Sequence, residues 1–222
     1  MFKRILLAGA AALLMNVSAA QADLMTVEGI SSLNQTETTH IAGQLADNLT
    51  VYAGPEQILY QNTQYLGYCV DLNHYAGTSQ VTEVSALTWP NGNKLVYLYD
   101  TYAPTVTTSL QAAALQTAIW EVISEPAAGP FDVTKGNFYI TGNDAVATLA
   151  NQWLATLPST YNPTQIPTIL DSSANQSFLV GKWEGVNNPV PEPCTMALLA
   201  VGGSCLLLVA RRKGRHSVVA AK

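Results

Sequence analysis

From residue 24 to residue 72 apolar and polar positions alternate with a period of two. The stretches LMTVEGIS, LTVYAG, EQILYQN and YLGYCVDL are short, rich in β-branched and aromatic residues, and bounded by Gly, Pro, Asn or Asp, the pattern of strands. In YLGYCVDL, Leu66, Tyr68, Val70 and Leu72 share one face while Gly67, Cys69 and Asp71 share the other. Cys69 is therefore expected to point away from the larger apolar set, into a second packed layer or a cleft. Beyond this region the period lengthens. KLVYLYDTY places Leu95, Leu98, Tyr99 and Tyr102 at helical spacing, and TSLQAAALQTAIWEVISEP predicts the strongest helix, with Thr108 and Gln111 as a capping box and Pro126 as its stop. NDAVATLANQWLATLP carries Val146, Leu149, Ala150, Trp153, Leu154 and Leu157 along one stripe, capped by Asn143 and ended by Pro158. Strand pattern returns at QSFLVGKW. Strands, then helices, then a closing strand predict an α+β domain, a β-sandwich or barrel-like sheet with an inserted helical segment.

The two ends read differently. MFKR, the apolar run ILLAGAAALLMNVSAA and an Ala-Gln-Ala site make residues 1–22 a secretory signal peptide, with cleavage after Ala22. At the other end, residues 194–210 form 17 uncharged, mostly apolar residues, the short limit for one transmembrane helix. The basic segment that follows, residues 211–222, is expected to stay in the cytoplasm, so the body at 23–185 faces outward. A linker at 186–193 joins the two. Its Val190, Pro191, Glu192 and Pro193, followed by the apolar helix and then Arg211 and Arg212, closely resemble the PEP-CTERM sorting signal. That resemblance implies an exosortase-type processing enzyme in the inner membrane of a Gram-negative bacterium. It further implies anchorage there before processing, and a place at the cell surface or in a biofilm matrix alongside exopolysaccharide afterwards.

Composition sharpens the picture once the ends are set aside. The whole chain has a formal charge of −5, but residues 23–189 hold fourteen acidic residues against Lys94, Lys135 and Lys182, a net of −11. Such a body repels phosphate backbones, which excludes nucleic acid as a natural partner. Its length suits one domain with a real core, and no internal repeat is present. Cys194 and Cys205 belong to the tail, which leaves Cys69 alone in the body. An odd cysteine in an exported protein is an intermolecular bridge, a reactive thiol, or a small buried hydrophobe. His40 and His74 do not stand at ligand spacing, so neither a metal nor a cofactor is expected. A cysteine hydrolase would need one of them as its base. On a continuous strand His74 falls on the face opposite Cys69, which leaves His40 as the candidate.

One constellation remains. YCVD is followed by a helix reading LQTAIWEV, and later by NQSFLVG. The order resembles the thioester domains of bacterial surface adhesins. These share an aromatic-Cys-apolar motif, a Thr-Gln-x-x-apolar-Trp-apolar helix and a closing apolar-Gln-x-x-apolar-apolar motif. Here Leu115 stands at the threonine position, Glu121 at the last apolar position of the helix, and Asn175 before Gln176. The resemblance implies that Cys69 supplies the sulfur of an internal thioester and Gln176 its acyl group, with Gln116 and Trp120 shaping the site. Gln116 is the alternative acyl partner. It implies covalent attachment, in a single turnover and without enzymatic catalysis, to an amine- or hydroxyl-bearing partner, an exopolysaccharide or a surface protein. The alternative function is a non-covalent matrix protein with an inert cysteine.

Overall fold

The computed structural model describes residues 23–181. The signal peptide, the last residues of the 23–185 domain, the Pro-Glu-Pro linker, the 194–210 span and the basic tail lie outside the described residues. Among those described, no helix is long and apolar enough to cross a membrane.

Among the described residues ten strands and three α-helices make an α+β domain. Strand β1 (Leu24–Ile30) pairs antiparallel with β4 (Glu56–Tyr60), and β4 with β5 (Thr63–Cys69). The β4–β5 turn is two residues long, and both, Gln61 (φ 47°) and Asn62 (φ 59°), adopt the left-handed conformation that lets a tight hairpin follow the twist of its strands. A bulge between Val27 and Gly29 bends β1. On the far side β5 pairs with β10 (Phe178–Val180), β10 with β9 (Thr168–Asp171), and β9 with β7 (Thr82–Ser85), while β6 (Ser79–Gln80) pairs with β1. The seven strands run β6-β1-β4-β5-β10-β9-β7.

The two edge strands of that sheet are consecutive in the chain, separated by Val81 alone. A segment that borders both edges can do so only if the sheet curls round, which makes it barrel-like and nearly closed. The interior face confirms the curl. Tyr60 of β4 donates from its hydroxyl to Glu83 of β7 at 3.0 Å, although four steps of the sheet separate the two strands. That face carries Met25, Ile58, Tyr60, Cys69, Leu170 and Phe178, all at most 3% exposed.

A second, three-stranded sheet runs β3-β2-β8, with β2 (Gln35–Ile41) between β3 (Leu49–Ala53) and β8 (Phe138–Thr141). Between the sheets lies helix α2 (Ser109–Ser124), buried on all sides from Ala112 to Val122. A helix buried around its whole circumference is a core helix. Its ends are well satisfied. The Thr108–Gln111 capping box closes the first turn, and Asn91 donates its amide to the carbonyls of Val122 and Glu125 at 2.7 and 2.8 Å, covering the last. Helix α1 (Gly92–Tyr102) packs on the outer face of β5, where Tyr68 meets Tyr99 edge-on, and α3 (Asp144–Leu154), capped by Asn143, packs along α2. Both faces of β5 are thus covered at its C-terminal end, from Gly67 to Cys69.

Candidate functional site

Strand β5 ends at Cys69, and what receives that end is α2. The Gln116 amide takes both backbone groups of Cys69. Its Oε1 accepts from the Cys69 N–H at 3.0 Å, and its Nε2 donates to the Cys69 carbonyl at 2.8 Å. Gln116 is fully buried. Its neighbour one turn on, Trp120, lies beside the thiol, and its indole N–H is buried with no hydrogen-bond partner among the described residues. Spacing of four on α2 puts both side chains on the face turned to Cys69.

Gln176 arrives from the other direction. The Val70 N–H donates to Ser177 O at 2.9 Å, extending the β5–β10 register of Phe178 opposite Cys69. Gln176, two residues before Phe178, shares the face of Cys69 as its diagonal neighbour; such pairs lie about 7–8 Å apart, within reach of a long side chain. The backbone of Gln176 is fixed by its N–H to Tyr75 O at 3.1 Å, and Asn175 donates to Thr78 O at 3.0 Å. Among the described residues the Gln176 side chain makes no hydrogen bond. Strand β10 starts at Phe178, so Gln176 stands just before the strand it was expected to open.

Cys69, Gln116, Trp120 and Gln176 all line one cavity of about 240 Å³ at the end of the barrel. Its mouth is rimmed by Leu45, Leu49, Tyr52 and Tyr75, all exposed apolar or aromatic side chains. Cys69 itself is 3% exposed and has no disulfide partner among the described residues. Burial above all pushes its thiol up to about 12; the nearby charge of Glu56 adds to this, while the Asp71 backbone N–H, which donates to the sulfur at 3.4 Å, and the Trp120 N–H oppose it. The thiol donates to the Asp71 carbonyl at 3.0 Å.

Cys69 turns away from Leu66 and Tyr68, as expected, and faces the barrel interior and its cavity. One expectation is corrected here. His74 is not turned away from Cys69. The strand stops at Cys69 because Gln116 occupies its backbone groups, and the chain then turns at Asp71, whose carboxylate holds the Asn73 N–H and His74 Nδ1 at 2.7 and 2.6 Å. That turn brings His74 to the same cavity. His40 goes elsewhere, stacked on Tyr139 with its Nε2 2.9 Å from the Thr141 hydroxyl. His40, the base expected for a cysteine hydrolase, does not line the cavity that holds Cys69. Among the described residues no three His, Cys, Asp or Glu side chains gather as metal ligands.

The residue that motif comparison passes over is Glu56. It opens β4 and lines the cavity, and its carboxyl is pushed up to about 7 by burial. A signal was present: Glu56, Ile58 and Tyr60 alternate in phase, so the acid sits on the apolar face of its strand.

No family model, no curated protein and no solved structure matches this chain.

Proposed function

We propose that the chain is an exported surface or matrix protein, sorted through its tail by an exosortase-type enzyme, whose body holds an internal thioester between Cys69 and Gln176. The observation that carries this reading is the single cavity shared by Cys69, Gln116, Trp120 and Gln176. The cysteine lies far from both glutamines in sequence, and among the described residues it has no disulfide partner.

The two glutamines divide the work. Gln116 has spent both polar ends of its amide on the Cys69 backbone, so it positions the sulfur. Gln176 has its amide uncommitted and is the acyl partner. Cys69 Sγ attacks Gln176 Cδ, the C–N bond breaks, and nitrogen leaves as ammonia carrying the thiol proton. Trp120 offers its spare N–H to the oxyanion that forms on the way. Burial keeps water from the product. A primary amine or a hydroxyl entering past Tyr52 and Tyr75 then takes the acyl group and frees the thiol, once per molecule.

A second reading is favoured by the thiol itself. Held by Asp71 O and raised to about 12, Cys69 is also what an inert core cysteine in a non-covalent matrix protein looks like. The intact mass of exported protein separates the two. The thioester form is one ammonia lighter than its sequence mass and resists thiol labelling. Methylamine restores the thiol and leaves a methylated amide on Gln176. Cys69→Ala and Gln176→Ala each restore the full mass with the fold kept. Full sequence mass together with a readily labelled thiol in the wild type rejects the thioester, and a methyl group on Gln116 moves the acyl role there. For sorting, Pro191→Ala with Glu192→Ala should block processing and surface delivery; unchanged localisation would reject it.

A further inference from the structure

We infer that Glu56 is the acid–base group of this site, carrying the proton between Cys69 Sγ and the nitrogen that leaves or attacks at Gln176. The inference rests on the thioester reading and adds the group that reading lacks. A thiol raised to about 12 does not ionise unaided near neutral pH. Its present partner, the Asp71 carbonyl, can hold the S–H but cannot take the proton.

Glu56 is placed to take it. The β4–β5 register sets Glu56 opposite Gly67, and Cys69 follows two residues later on the same face. No side chain stands at Gly67, where a Cβ would come within 2.9 Å of Ile58. Glu56 lines the same cavity as the four site residues, and its charge is felt at the thiol. Among the described residues its carboxyl makes neither a hydrogen bond nor an ion pair. Burial without a cation brings its pKa to about 7, so both its forms are present near neutrality, the condition for moving a proton in either direction.

The other titratable groups facing this space are Cys69 from β5, Tyr52 from β3, and His74 and Tyr75 from the loop after β5. Opposite Glu56 on β1 stands Ile30, and α2 presents Gln116 and Trp120, none of them charged. His74 is the one rival, but its Nδ1 is committed to Asp71, and it is the more exposed of that pair.

The proton count closes without any further reagent. On formation the Glu56 carboxylate accepts the proton of Sγ as the S–C bond forms, then passes it to the departing nitrogen, which leaves as ammonia. On opening, the carboxylate accepts a proton from the attacking amine nitrogen and delivers it to Sγ as the S–C bond breaks. Glu56 ends each cycle as it began.

The test follows methylamine opening of the full exported protein by intact mass, from about pH 5 to about pH 9, in wild type, Glu56→Gln, Glu56→Asp and His74→Gln. Wild-type rates should rise through a step near pH 7. Glu56→Gln should open about 100-fold more slowly, or more, at neutral pH and lose the step. Glu56→Asp should recover part of the rate, and His74→Gln should keep the step. A folded Glu56→Gln that never loses ammonia, judged by an unchanged melting curve, also supports the role. Wild-type rate and profile in Glu56→Gln, or loss of the step in His74→Gln alone, overturns it. If Glu56→Gln does not fold, a Glu56→Asp protein with the unaltered rate overturns it equally. Full sequence mass in the wild type removes the thioester reading and this inference together. A separate readout distinguishes them: the Cys69 thiol of opened protein should be alkylated by iodoacetamide at lower pH in Glu56→Gln than in wild type. An identical profile puts Glu56 out of reach even where the thioester stands.

Discussion

Gln116 behaves towards Cys69 as a neighbouring strand would. It presents one acceptor and one donor, spaced like a peptide group, to a strand end that has run out of ladder. Truncation leaves a buried N–H and a buried C=O without partners, each costing about 1–3 kcal/mol. Gln116→Ala should therefore lower unfolding stability by roughly 2–6 kcal/mol in a denaturant titration and, on the thioester reading, slow thioester formation as the sulfur loses its anchor. A loss under about 0.5 kcal/mol would mean that water replaces the clamp. The sequence pointed to this residue through its spacing from Trp120 but not to its task, because spacing along a helix says which face a side chain takes and nothing about the backbone it meets. Glu56 escaped for the converse reason. Its local signal, an acid in phase with Ile58 and Tyr60, becomes meaningful only when β4 is laid beside β5.

At the level of elements, α2 is tied down by two buried carboxyls, one from β2 and one of its own. Glu37 of β2 accepts from the Thr117 hydroxyl of α2 at 2.8 Å, and Glu121 of α2 accepts from the Asp132 N–H at 2.6 Å; each has its second oxygen buried without a partner among the described residues. Burial above all raises them, Glu37 to about 7 and Glu121 to about 8, from an ordinary 4.5. Between those values the folded chain binds more protons than the unfolded one, so stability falls as pH rises from 4.5 towards 8. Asp132 works in the other direction. Held below its ordinary 3.8, chiefly by Thr134, it contributes stability that is lost as pH falls below that value. Melting temperature should accordingly peak in mildly acidic solution. Glu37→Gln and Glu121→Gln should each flatten the alkaline fall, and a melting temperature that climbs steadily to pH 8 would contradict the assignment. Thr108→Ala, which removes the capping box, should cost about 1 kcal/mol. Helix α2, its box, and α3 with its Asn143 cap were readable because each is specified by its own residues. Strand β2 was not: QTETTHI has no apolar alternation, and it buries Glu37 and Thr39 in place of hydrophobes.

For the molecule as a whole, the hardest features to read are those made by distant pairing. Strands β6 and β7 total a handful of residues and have no reason to be extended except that they complete two edges of one sheet. The same closure engages the first described residue. Asp23 O accepts from the Val81 N–H at 2.9 Å, and its carboxylate accepts from Gln61 at 3.2 Å. Cleavage after Ala22 therefore leaves every residue the sheet uses. N-terminal sequencing of exported protein should begin Asp-Leu-Met-Thr, and recovery of Met1 would contradict export by a cleaved signal.

The position of Gln176, just ahead of the last described strand, also fixes where force would travel. On the thioester reading, a partner bonded to the Gln176 acyl carbon would pull at one end of β10, and a chain held through its tail would pull at the other. Among the described residues only 177–181 lie on that path. Tension is borne by β10 and by its ladders to β5 and β9, while the rest of the barrel, the second sheet and all three helices stay outside the line of load. Stretching such a tether would recruit none of the extensible length folded upstream, so the domain would serve as a clasp and not as a spring.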